Sequence, residues 1–148
     1  MRLVAGAVVL AVSGVVVACG GSDTAPPARD AGARPRVFRH DPSPTLEGEG
    51  ALVQGTLGYD VAHGCFMVAS EGIAYPVVWP AGTEGVAGGP GVELPDGLVV
   101  RVGDGVSGGG GFHQAGDRFV AGFDIPAECV PSTSEVAVFN ANERVTKR

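Results

Sequence analysis

Between Gly48 and Pro131 apolar residues recur at every second position in short runs. No stretch longer than seven residues there lacks a Gly or Pro. Those residues break helices, and a period of two is the signature of half-buried strands. The pattern predicts strands over 51–59, 65–70, 73–79, 97–102, 117–125 and 135–140. Glu71-Gly72 joins the second and third as a tight hairpin, and Pro95-Asp96-Gly97 is a turn before the fourth. Ile73, Tyr75, Val77 and Trp79 share one face, and Pro76 marks that strand as an edge or a bulge. Val100 and Val102 are expected to point inward, and Phe119, Ala121, Phe123 and Ile125 to share a face. Ser132-x-x-Glu135 matches a helix capping box, but alternation follows it, so a strand is preferred. Six short strands in one small domain predict an all-β fold, a small single-domain β-barrel similar to an OB-fold, because closure removes unpaired edges. A small β-sandwich is the alternative. The loop 80–96 is long for such a domain, and long loops are functional or disordered.

The N-terminal pattern is different. After Met1-Arg2, Ser13 is the only polar residue from Leu3 to Ala18. One charge followed by a short apolar run is an export signal, and the run is short for a permanent span. Val16-Val17-Ala18-Cys19 resembles a bacterial lipobox, with Gly20-Gly21-Ser22-Asp23 leaving the membrane after it. That resemblance implies a signal peptide at 1–18, removed before Cys19, and a lipid-modified Cys19 as first mature residue. An uncleaved transmembrane anchor is the competing reading. Residues 19–45 read as a disordered Pro/Arg-rich tether with too little apolar surface to order itself. Its Arg29, Arg34, Arg36 and Arg39 are either simply solvated or rest weakly on anionic lipid. The barrel domain is expected at 46–140 and a C-terminal tail at 141–148.

Charge and cysteines narrow the picture. Residues 46–140 hold 12 acidic residues against Arg101 and Arg118. So acidic a domain is a poor partner for nucleic acid, whose affinity comes from phosphate neutralisation. Its acidity reads most simply as solubility. With Cys19 lipidated, Cys65 and Cys129 remain in an oxidising compartment, where leftover thiols pair. The chain-entropy model gives about 4 kcal/mol for closing so long a loop.

Chemistry is sparse. Gly103-Asp104-Gly105-Val106-Ser107-Gly108 spells G-x-G-x-x-G, and Gly105-Val106-Ser107-Gly108-Gly109 spells G-x-S-x-G. Both motifs need a helix after the loop, and the glycines at 108–111 exclude one. The structural reading survives: a turn at 103–105, then a glycine run passing close to another strand or bending at a barrel corner. His63, Cys65 and Met67 alternate and would suit a soft ion such as Cu(I), but a disulfide removes the thiolate. Asp60, His63, His113, Asp117 and Asp124 match no metal or acid–base spacing. Tyr75, Trp79 and His113 are the candidates for a ligand surface, against the commoner reading of a strand's aromatic stripe as core. No cofactor is implied.

The lipobox, the Pro/Arg/Ala-rich tether, "GCFMVASEGIAYPVVWPAGT", "ELPDGLVVRVGDGVSGGGG" and the late cysteine together resemble uncharacterised small secreted lipoproteins of high-GC actinobacteria. Lys147 as the single lysine, and 25 glycines, fit that coding bias. The resemblance implies a secreted, lipid-anchored domain and no particular activity; the chain as a whole reads as a monomeric domain at the outer face of the cytoplasmic membrane, in the cell envelope. The expected role is a non-catalytic module binding a small molecule, glycan or protein. A small hydrolase using Ser107 or an Asp/His pair, and a soft-metal carrier, are the rivals.

Overall fold

The computed structural model describes residues 35–42, 50–130 and 134–148. In chain order the strands are β1 (Phe38–Arg39), β2 (Ala51–Asp60), β3 (Cys65–Ser70), β4 (Ile73–Trp79), β5 (Glu84–Gly85), β6 (Gly91–Glu93), β7 (Val99–Arg101), β8 (Gly105–Gln114), β9 (Glu135–Phe139) and β10 (Thr146–Lys147). Glu71 and Gly72 take φ of 51° and 83°, the left-handed pair that matches a two-residue hairpin to strand twist. They fold β3 onto β4 as the sequence predicts. β2 pairs antiparallel with β3, β4 pairs parallel with β9, β9 antiparallel with β8, and β8 antiparallel back to β2. The ring β2-β3-β4-β9-β8 is therefore closed, a five-stranded Greek-key barrel of the OB type.

Closure makes β2 serve two partners. Its first half pairs with β8 and its second half with β3, changing over at Thr56. The change brings Gly55 against the Ala69 carbonyl, where a Cβ would collide. The glycine run 108–111 is itself a barrel strand, part of β8. Gly110, at φ 156°, lies against the Val138 carbonyl with no room for a Cβ. Bare backbone there lets β8 and β9 approach closely, as the close-passage reading expects.

The inward residues form one cluster: Val53, Leu57, Phe66, Val68, Val77, Trp79, Val106, Ala137 and Phe139 are fully or almost fully buried. Trp79 stacks on Phe139 at 5.4 Å between ring centroids. A second cluster lies on the outer side of β4 and β9: Val78, Val136 and Val138, packed by Phe38, Val120 and the Cys65–Cys129 disulfide. The predicted pairing of those cysteines is present, with 5.9 Å between their Cα atoms. Because both faces of β4 and β9 are buried, their apolar runs are continuous rather than alternating.

Several expectations change. Residues 117–125 are not a strand. Asp117 opens one helical turn, α1 (Arg118–Ala121), the Ala121 N–H donates to the Asp117 carbonyl at 2.9 Å, and a 3-10 turn follows at Ala127–Cys129. Short helical turns therefore occur inside a domain expected to be all-β. The free stretches of β4 and β8 are taken by β1 and β10, and this segment crosses outside as a cover, burying Val120 and leaving Phe119 41% exposed. Residues 97–102 contribute only β7, which pairs with β6, and β6 with β5, in a separate three-stranded sheet. Most of loop 80–96 is thus ordered by this small sheet. Val100 is buried in the core as expected, but Val102 is 44% exposed. Ile73, at the hairpin, is also exposed. Pro76 is tolerated inside the barrel because the β4–β9 ladder starts one residue later, at Val77.

The end of the segment read as a tether belongs to the sheet. Phe38 and Arg39 pair in parallel with Val78 and Trp79, and the Arg36 N–H donates to the Gly64 carbonyl. The tail belongs to it too: β10 pairs with Val106 and Ser107 of β8, and Ala141 and Val145 are buried.

Candidate functional site

The ring has two ends. At the upper end β2 finishes at Asp60, β3 starts at Cys65, β4 finishes at Trp79 and β9 at Phe139. At the lower end lie Ser70, Ile73, Gln114 and Glu135. Each end carries a cavity.

The upper cavity, of ≈ 310 Å³, lies between the 80–96 insertion and the tail. Leu94, Pro80 and Val145 give it apolar walls. Its charged groups answer one another, with Arg144 Nε 3.3 Å from Asp96 Oδ2. Behind it the Trp79 indole N–H is fully buried without a protein partner. Such a group costs about 1–3 kcal/mol.

The lower mouth is larger, ≈ 620 Å³, lined by Leu52, Gln54, Ser70, Tyr75, Phe112 and Glu135, with Glu71 at the hairpin tip. Tyr75 points from β4 into the barrel's lower end and meets Phe112 of β8 at 4.7 Å, the rings tilted by 59°. Leu52 is 59% exposed and Phe112 38%. Glu135 accepts a hydrogen bond from Gln114 Nε2 at 3.2 Å, and no Lys or Arg among the described residues lines the mouth.

Of the ligand-surface candidates, Tyr75 lines this mouth. Trp79 does not: it is fully buried inside the barrel, because its face is the inward one. His113 lines neither cavity and lies against Phe119 at 5.0 Å. Leu52, Phe112 and Glu135 went unnoticed in the sequence. They sit on three strands that only barrel closure brings together.

The other constellations disperse. Ser107 and His113 lie six positions apart on one strand, about 20 Å in extended backbone, so they form no dyad. Asp60 and His63 do meet, Oδ2 to Nδ1 at 2.6 Å, in the exposed turn after β2. That bond, with help from the Ala62 and His63 N–H groups, holds the Asp60 carboxyl below its ordinary range. The arrangement orders a turn, since the same carboxylate accepts both backbone amides. His113, Asp117 and Asp124 do not join it. Cys65 is bonded to Cys129, so the His63-Cys65-Met67 stripe has no thiolate. Among the described residues no group of three His, Cys, Asp or Glu side chains is placed to hold a metal ion. Arg36 pairs with Glu128 at 3.2 Å and Arg39 donates to the Thr83 carbonyl at 2.7 Å, so both are engaged in the fold. Cys19, Arg29 and Arg34 lie outside the described residues, and no helix among the described residues is long and apolar enough to cross a membrane.

One buried titratable group stands out. His40 is 3% exposed, and its Nε2 lies 2.8 Å from the Phe139 carbonyl oxygen. A carbonyl only accepts, so Nε2 carries the proton in this bond. Burial lowers the pKa of His40, the Phe139 bond opposing that shift.

No family model matches this chain, and neither a curated protein nor a solved structure is significantly similar to it.

Proposed function

We propose that this chain is an extracytoplasmic lipoprotein whose barrel is a non-catalytic binding module. The signal 1–18 is removed, Cys19 carries the lipid, and the domain is held at the outer face of the cytoplasmic membrane. The lower mouth receives the ligand. Support for export and anchoring comes from the lipobox pattern and from a buried Cys65–Cys129 bond, which suits an oxidising compartment. The observation that carries the binding role is the mouth itself. At the lower end Phe112 and Leu52 stay exposed beside the largely buried Tyr75, so apolar surface is open there.

Arg36 joins the barrel beside Gly64 and Cys65. The mouth lies at the Ser70 end of β3, about 17 Å further along that strand.

Mass spectrometry of the mature full-length product from a lipoprotein-processing bacterial host tests the anchoring. The expected species starts at Cys19 with acyl chains and lacks two hydrogens at the other thiols. Cys19→Ala is expected to leave the membrane fraction. An unacylated Cys19 in a chain that still fractionates with membranes overturns the lipoprotein reading.

A further inference from the structure

We infer that the lower mouth binds a short basic, amphipathic peptide segment, an extended stretch carrying Lys or Arg beside aliphatic residues. The inference rests on the mouth being the binding site and names the ligand class that suits it.

Three observations converge. The first is charge. Glu71 and Glu135 flank the mouth, no cation among the described residues lines it, and the neighbour of Glu135 is the neutral amide of Gln114. The acidic excess of residues 46–140 adds a negative field around it. Cationic groups are drawn in and anionic ones repelled. The second is shape. Tyr75 and Phe112 pack against each other at 59°, so the two rings make no shared flat platform for a saccharide. What faces outward is the ring of Phe112 with the aliphatic Leu52, and Ile73 is exposed on the adjoining hairpin. That surface suits inserted aliphatic side chains. The third is an accessible polar group. Tyr75 lines the mouth, makes no hydrogen bond among the described residues, and keeps its hydroxyl open to solvent. With the Gln54 amide it offers donors and acceptors to a peptide backbone, as an extended ligand requires.

Binding is measured by titrating the full-length protein in zwitterionic nanodiscs with a fluorescent peptide of alternating lysine and leucine. An alternating glutamate–leucine peptide and a labelled chitin tetrasaccharide are run in parallel. Saturable binding of the basic peptide alone is expected. Glu71→Gln with Glu135→Gln should raise its Kd about fivefold, and Leu52→Ser with Phe112→Ser about tenfold. Tyr75→Phe should weaken it less, leaving the fold intact. Glu84→Gln with Glu93→Gln, on the small sheet at the other end, should leave Kd unchanged. Equal weakening by that control pair would reduce the effect to bulk attraction and overturn the inference. Binding of the tetrasaccharide in place of the basic peptide overturns the ligand class while keeping the mouth as a site. Absence of binding by all three probes overturns the inference as well. The Cys19→Ala chain in solution repeats the titration without lipid, so a failure of anchoring and a failure of peptide recognition are read separately.

Discussion

The inside of the barrel and its outer cover are both apolar, yet they are built on opposite plans. The inner cluster is made by the five ring strands themselves, which fully bury Val53, Phe66, Val77, Trp79 and Phe139. The outer cluster covers Val78, Val136 and Val138 with pieces from remote parts of the chain: Phe38 before the first barrel strand, and Val120 and Cys129 late in it. The inner core is held by its own packing and a closed ladder. The cover has little ladder of its own and depends on a covalent tie, one buried imidazole and a few hydrogen bonds. The contrast teaches that a small ring can leave two of its strands apolar on both faces only if something distant is brought over them.

The largest expected effect lies inside. Phe139→Ala should cost about 3–5 kcal/mol, a large share of a small domain's net stability. Urea unfolding followed through Trp79, the only tryptophan, reads it directly. A loss below 1 kcal/mol would mean that the inner core is not what holds the ring. Removing the tie comes next. Cys65→Ser with Cys129→Ser should cost about 2–4 kcal/mol, and the damage should be local. Amide exchange should quicken over 115–130 and 36–40 while Val68 and Val77 stay protected. Uniform quickening across both regions would erase the distinction between them.

Acid should loosen the cover before the core. Because burial lowers the pKa of His40, the folded state binds its proton less readily than the unfolded chain. Stability is then complete above about 6.5, the ordinary imidazole value, and falls as pH drops below it toward the lowered value. His40→Gln should flatten that part of the stability–pH curve. An unchanged slope would place the acid response elsewhere. Asp60, Asp104 and Glu128 are held low by hydrogen bonds from His63, Lys147 and the Glu128 backbone respectively. Their contribution is present near neutrality and is lost only in stronger acid. The smallest effect belongs to Lys147→Ala, which removes an exposed pair to Asp104 at 2.7 Å. It should barely move the melting temperature and should leave β9 amides protected.

Much of the inner core was legible in the sequence, and little of the cover was. β3 and β4 could be read because alternation and a Glu-Gly turn agree on the same hairpin. β8 could not, because Gly108 to Gly111 carry no side chains to alternate. Residues 117–125 alternate by coincidence: whether such a run becomes a strand depends on a free sheet edge, which is a property of the whole ring. Arg36–His40 are hidden among prolines and arginines that read as solvated chain, although Phe38 and His40 end up buried. The mouth was half legible. Tyr75 stands on a readable strand, but Leu52, Phe112 and Glu135 converge with it only through closure. Ser107 and His113 are kept apart by the extension of one strand, β8.

The pairing of β1 with the end of β4 also has a mechanical side. Tension on the chain ahead of Pro35 is borne first by a short parallel contact, with the Arg36 and His40 amides held by the Gly64 and Trp79 carbonyls. That contact is a small fraction of the hydrogen bonding in the ring behind it. Under load it should peel first, letting out slack up to β2, while the five-stranded wall stays shut. The domain thus carries a breakaway link ahead of its ring.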